Sequence, residues 1–342
     1  MTPIYFFNLC PFHTDSFGMG TVRPAQNYLE EVKQHAIWAD ERGLRGIVIY
    51  NFHSSLDPLL TAQYVLSVTK QLRPMVAAQP AYMHPYALAR AVATLTYMYQ
   101  RALDLNMVAG ASPADSRKIG DEVNEQEKHE RLREYIRVLQ LLVAGPTTFH
   151  GHYFHFNDVT LQPLLTSPYQ PELYIPGSSP ASCITVQEFA HSSLLMAKPI
   201  DLMQEEILRL QGNCTTLRHG MIVGIIARST DEEAWQVAHS LSGQQDRRTR
   251  LLNRMFIAQA SSQQHRLNIE LADKQVLFDD VLWYGNAKIG IDAPKLVGSY
   301  QKVQAALQRY IAMGMSNILL DLPHDLAEYD HLFRVIEPFL HS

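Results

Sequence analysis

The sequence predicts an α/β protein, a (β/α)8 TIM barrel with a β-hairpin insertion after strand 4 and an irregular lid-like insertion after strand 7. Three observations carry this expectation. Short, wholly apolar runs such as Gly46 to Tyr50 (GIVIY) and Met221 to Ala227 (MIVGIIA) are strands of the buried parallel type. Helical segments follow such runs in near-strict alternation, eight pairs in all, which suits a closed barrel better than an open sheet. The 342 residues suffice for one large barrel, and no linker or low-complexity stretch divides them, so 1–342 reads as a single domain.

The elements follow in order. Ile4 to Leu9 is the first strand, and Asn27 to Arg42 an amphipathic helix stopped by Gly43. Gly46 to Tyr50 is strand two, and Pro58 to Lys70 its helix. Pro74 to Ala78 is strand three, and Pro85 to Tyr99 a helix with proline near its start. Leu103 to Val108 is strand four. A long, heavily charged helix, Glu122 to Ala144, ends at Gly145-Pro146. Thr147 to Leu161 then alternates with period two and turns at His150-Gly151, the pattern of an inserted hairpin. Glu172 to Ile175 and Ser193 to Met196 are strands five and six, each leading into a helix. Met221 to Ala227 is strand seven, and Thr230 with Asp231, Glu232 and Glu233 opens its helix. Ser242 to Pro294 has the least regular pattern. Ser299 to Met313, strand eight at Asn317 to Leu320 and the helix Leu326 to Leu340 complete the chain.

Composition narrows the function. A net charge of −5 without a long basic run argues against a nucleic-acid partner. Three scattered cysteines fit neither a disulfide framework nor a zinc site, and point to a reducing compartment. No signal-peptide pattern or membrane-length apolar run is present, so the expectation is a cytoplasmic protein without a membrane partner.

In a barrel of this kind, functional residues sit where strands end on the carboxyl face. That selects His13, Asn51 to Ser55, Gln79, Asn106 to Ser112, Gly177 to Ser179, Met196, Ile222 to Gly224 and Leu320 to His324. Few of these ionise, and no catalytic triad, metal set or close carboxylate pair is among them. Such a site suits chemistry carried by a bound organic cofactor. Gly177-Ser178-Ser179 can hold a phosphate at a helix start, or serve as a plain turn with a serine cap. His13 is either a base or cofactor contact, or an ordinary loop histidine. His150 and His152 share a strand face by alternation, but nothing completes a metal set, and no metal is expected.

Nearly end to end, the chain resembles the bacterial luciferase-like flavin monooxygenases, and within them the two-component alkanesulfonate monooxygenases. The resemblance runs through Arg23-Pro24, Ala102 to Ser112, the TFHGHYFHF hairpin, QPELYIPGSSPAS, the Asp231-Glu232-Glu233-Ala234-Trp235 helix, Leu282-Trp283, Leu296-Val297-Gly298 and Leu322-Pro323-His324. It implies a barrel that takes reduced FMN (FMNH2) from a separate NAD(P)H:FMN reductase. O2 would then oxygenate a small-molecule substrate through a flavin peroxide beneath a lid. It also implies a homodimer or higher homo-oligomer. Carried over by position, Ser178 and Ser179, beside Gly177, contact the FMN phosphate, with His129 where a tyrosine is usual. Asn106 and Ala109 lie along the ring system. Ser55 stands where sulfonate enzymes have cysteine and Gln79 where they have arginine. With His13, these two are the residues expected at the reactive edge.

The departures cluster around strand seven. Ile222 and Gly224 replace the arginine and histidine of sulfonate enzymes, Met196 a pocket tryptophan and Leu322 a pocket tyrosine. Without a guanidinium no anion clamp is evident, so a largely apolar substrate is expected. Arg247, Arg248, Arg250 and Lys288 are candidates to bring positive charge on lid closure. Three alternatives stay open: an alkanesulfonate monooxygenase with an altered anion site, a deazaflavin-dependent oxidoreductase, and a non-catalytic flavin-binding barrel.

Overall fold

A computed structural model describes residues 3–14, 21–52, 54–110, 113–165, 168–244, 251, 255, 263–286, 293–323 and 325–340. The barrel wall is β1 (Tyr5–Leu9), β2 (Gly46–Ile49), β3 (Arg73–Ala78), β4 (Asp104–Met107), β7 (Leu173–Pro176), β8 (Ser192–Met196), β9 (Arg218–Arg228) and β13 (Met315–Leu320). These eight strands pair in parallel, and β13 returns to β1 to close the ring. Closure leaves the wall without a free edge. The expected barrel is present.

Helices shield the outside: α1 (Ala25–Glu41), α2 (Pro58–Val68), α3 (Pro85–Tyr99), a short α4 (Pro113–Lys118), α5 (Glu125–Ala144), α6 (Pro180–Phe189), α7 (Ile200–Gln211) and α8 (Asp231–Gln244). After them come α9 (Gln263–Lys274), α10 (Tyr300–Ala312) and α11 (Glu328–Ile336). α5 starts at a full capping box, in which Asn124 and Glu127 satisfy each other's backbone N–H groups. The hairpin between barrel units is β5 (Thr147–His150) with β6 (His155–Val159). Its strands end before His152, so the expected His150/His152 face does not form. His150 instead lies across from His155. Among the described residues no group of side chains could hold a metal.

The region after strand seven departs from expectation. Its described part is regular: α9, then β10 (Leu277–Phe278) and β11 (Leu282–Trp283), which run antiparallel beside β12 (Lys295–Ser299). The cause is the length of β9. Its 11 residues outrun the barrel, so Gly224 to Arg228 present a free edge, and β12 pairs with it in parallel.

Side chains alternate across the wall. Phe7, Leu9, Val48, Met75, Tyr174, Leu194 and Leu319 fill the interior, while the larger apolar core lies between wall and helices. The amino end of the barrel is closed by charge. Asp104, fully buried, bonds Arg73 at 2.5 Å, and Glu172 bonds Arg45 at 2.9 Å and Arg218 at 2.5 Å. Burial pushes the Asp104 carboxyl up against the pull of Arg73 and Arg45. Glu172 is held below its ordinary range because Arg45 and Arg218 outweigh its burial. With this end plugged, chemistry belongs at the other.

Candidate functional site

At the carboxyl end, the turn after β7 is built around one glycine. Gly177 has φ +109°, and a Cβ there would stand 2.7 Å from the Ser182 hydroxyl oxygen, so a side chain is excluded twice over. The turn aims the start of α6 inward. Ser179 caps that helix: its hydroxyl accepts the Ser182 N–H at 3.1 Å. The cap commits Ser179's side chain, and the adjacent Ser178 is buried.

α5 and α6 run side by side, tied by the Arg137–Glu188 ion pair. Both helices return from parallel strands and share a direction. Eight residues back from that pair lie His129 on α5 (137 − 129 = 8) and Pro180 on α6 (188 − 180 = 8). His129, which is buried, lies about two turns before that ion pair on α5.

Beside it, Lys128 is only 2% exposed. Its ammonium lies 3.9 Å from where a Cβ on Gly110 would be, and the Gln79 carboxamide oxygen 3.6 Å from the same point. The Lys128 backbone N–H donates to the Asn124 carbonyl at 3.0 Å in the first turn of α5. Lys128 also carries a signal in the sequence. The buried stripe of α5 runs Leu132, Tyr135, Ile136, Leu139, and Lys128 continues it one turn earlier.

Asn106 pairs in register with Ala77 and Tyr174 and is buried, and its carboxamide oxygen has no partner among the described residues. Ala109, half-buried, packs on the core just beyond β4. Gln79 donates to the Asn51 carbonyl at 3.2 Å, which aligns its side chain across the ends of β2 and β3. Asn106, Gln79, Ala109 and Lys128 thus converge at the ends of β3 and β4.

His13 and Ser55 meet elsewhere, lining one small cavity with Cys10, Tyr28, Tyr50 and Thr61. Burial lowers the His13 imidazole pKa, with Arg23 adding to the effect, and burial pushes the Cys10 thiol up to about 12. The Ser55 hydroxyl is engaged within its own loop, by the Phe52 N–H and the Phe52 and Leu56 carbonyls. Through its bond to the Asn51 carbonyl, Gln79 sits next to Tyr50 of that cavity.

On the far side, Ile222 and Leu322 pack on the apolar barrel interior. α9 covers the end of β8, where Gln264 accepts the Met196 N–H at 2.5 Å. Arg247, Arg248, Arg250, Lys288, Ser112 and His324 lie outside the described residues.

Comparison with known proteins places this geometry. Residues 6–317 match the luciferase-like monooxygenase family. Among curated proteins, 4-(gamma-L-glutamylamino)butanoyl-[BtrI acyl-carrier protein] monooxygenase BtrO of Niallia circulans is 29% identical over 325 residues, 94% of each chain. Riboflavin lyase RcaE, solved with modified FMN and riboflavin, superposes with TM-score 0.81 at 15% identity, covering 98% of this chain and 92% of that one. An F420-dependent secondary alcohol dehydrogenase, solved with an F420-acetone adduct, superposes with TM-score 0.67 at 14% identity, covering 99% of this chain and 100% of its own. At these identities the two structures establish the shared fold.

Proposed function

Because the chain belongs to the luciferase-like monooxygenase family, we propose that it is an FMNH2-dependent monooxygenase that uses O2 to oxygenate a small, largely apolar organic substrate. The observation that carries the cofactor is a buried polar group left for a ligand. The Asn106 carboxamide oxygen is buried at the carboxyl end without a partner among the described residues, and the Lys128 ammonium stands by the Gly110 turn at the same end. Leaving such an acceptor unmet costs free energy, and a ligand bearing ring N–H groups and an anion suits the two.

In this reading the Gly177 turn, Ser178 and His129 cradle the phosphate, with Ser179 acting through the cap that orients α6. Asn106 and Ala109 border the isoalloxazine ring, and Gln79 and Lys128 approach its polar edge. His13 and Ser55 stand on the substrate side, Ser55 by shaping its loop. The cofactor supplies the electrons that activate O2, and the protein supplies orientation and exclusion of water. A separate NAD(P)H-dependent reductase delivers the reduced flavin. Exposed Leu60, Tyr97 and Met98 on α2 and α3 support a homo-oligomer formed through that side.

The test is turnover with a flavin reductase, NADH and labelled O2 against a substrate panel that includes carrier-bound acyl thioesters, the kind of substrate named for the 29% relative. Incorporation of one oxygen atom into product supports the reading. Sulfite release from simple sulfonates would restore the alkanesulfonate alternative. A second reading, hydride transfer with a deazaflavin, is favoured by the likeness to the F420-dependent dehydrogenase. It requires turnover without O2. Flavin binding with no turnover above the enzyme-free rate would leave a non-catalytic barrel.

A further inference from the structure

Strand seven carries Ile222 and Gly224 where the resemblance to sulfonate enzymes would put arginine and histidine, but the space is not left apolar. Gly224 follows Ile222 on the same face of β9. Ile222 turns to the barrel interior, and Ile226, next on that face, packs against α8. Between them, the place of a side chain at position 224 is taken by a neighbour. A Cβ on Gly224 would lie 2.7 Å from the Lys295 ammonium nitrogen and 2.8 Å from its Cγ. Lys295 opens β12 directly opposite Gly224. Its ammonium bonds Asp321 at 2.8 Å, with side chains 10% and 13% exposed. Asp321 is held in turn. Its N–H donates to the Val223 carbonyl at 3.0 Å, and its second carboxylate oxygen accepts the Leu322 N–H at 3.0 Å. A lysine from β12 and an aspartate from the end of β13 thus share the rim beside the apolar Ile222–Leu322 wall.

We propose that the Lys295–Asp321 pair is the specificity element of the substrate pocket, selecting a net-neutral polar group of the carboxamide kind and rejecting a monoanionic head. The inference rests on the carboxyl-face pocket being the substrate site. A lone cation beside an apolar wall favours sulfonates and carboxylates. Here that cation is already neutralised, so an entering anion gains little from the lysine and meets the Asp321 charge. A carboxamide uses both partners: its carbonyl accepts from the ammonium and its N–H donates to the carboxylate. Specificity arises from the repulsive partner as much as from the attractive one.

The experiment is calorimetric titration of the FMN-loaded protein with octanamide, octanoate and 1-octanesulfonate. Wild type is expected to bind the amide at least tenfold more tightly than either anion. Asp321→Asn frees the lysine charge and should reverse that order. Lys295→Met/Asp321→Leu replaces the pair with apolar groups of similar bulk, so a folded protein is retained, and should lose the amide preference. Gly224→Ala leaves both charges in place but displaces the flexible lysine end, and should weaken the amide at least fivefold. Anion preference in wild type, an unchanged order in Asp321→Asn, or no binding of any probe by FMN-loaded protein overturns the proposal. Failure to load FMN, measured first in the same samples, instead overturns the cofactor reading.

Discussion

Replacing Lys128 by methionine separates a ligand-binding lysine from a structural one. Methionine keeps the length and apolar bulk of the side chain, so no cavity opens on α5, and only the ammonium is lost. As a residue Lys128 is 2% exposed, and its ammonium stands by the Gly110 turn. Desolvating a charge costs free energy, so its removal should leave the free protein at least as stable, with Tm unchanged or raised. The FMN complex should respond in the opposite sense. A hydrogen bond to a charged group is worth about 1.5–3 kcal/mol, so FMN affinity should fall about tenfold to a hundredfold. The assay is a thermal melt and an FMN titration on the same samples, with riboflavin as a control for the phosphate. Equal losses for FMN and riboflavin place the ammonium at the ring, and a loss confined to FMN places it at the phosphate. A lower Tm with FMN affinity unchanged would refute the reasoning, because a structural lysine behaves in that way.

Gly177→Ala should cost about 1–3 kcal/mol of stability through its positive φ and reduce FMN affinity at least tenfold, read by melting and titration. Removing Arg73 (Arg73→Met) should destabilise by about 3 kcal/mol or more, because it strips a fully buried Asp104 of its nearest partner. FMN affinity should not change, since that cluster sits at the opposite end of the barrel. Acid sensitivity follows from His35 and His219, whose pKa values burial lowers from 6.5 to about 4. Both stay neutral in the fold while the unfolded chain takes up protons, so stability falls as pH drops from 6.5 to 4 and levels below that. Each contributes about 3 kcal/mol across that window, and His219→Phe should flatten the denaturation profile accordingly.

The barrel was legible in the sequence because its strands are short apolar runs separated by capped helices, and those local signals agree with the closed topology. The strand at Lys295 to Ser299 was not legible. Its pairing with β9 depends on how far β9 outruns the barrel, which is a property of the assembled sheet. The same limit hid the Lys295–Asp321 pair, because nothing in the spacing shows that a lysine enters the space vacated at Gly224. In the proposed cofactor site, Gly177 and Asn106 are readable from their position at strand ends. Lys128 needed its place on a helix stripe to be weighed, and its charge hid it among surface residues. His13 and Ser55 share a cavity with Tyr28 and Tyr50, and Gln79 stands between Asn51 and the Gly110 turn, a placement that only the assembled strand ends define.

The most direct measurement is anaerobic titration of the purified protein with reduced FMN and, separately, with oxidised FMN, followed by fluorescence. Reduction adds negative charge to the ring, which Lys128 would meet in the proposed site. The account predicts saturable binding of both forms, with the reduced form at least tenfold tighter. Absence of binding by either form, or tighter binding of the oxidised one, would contradict it.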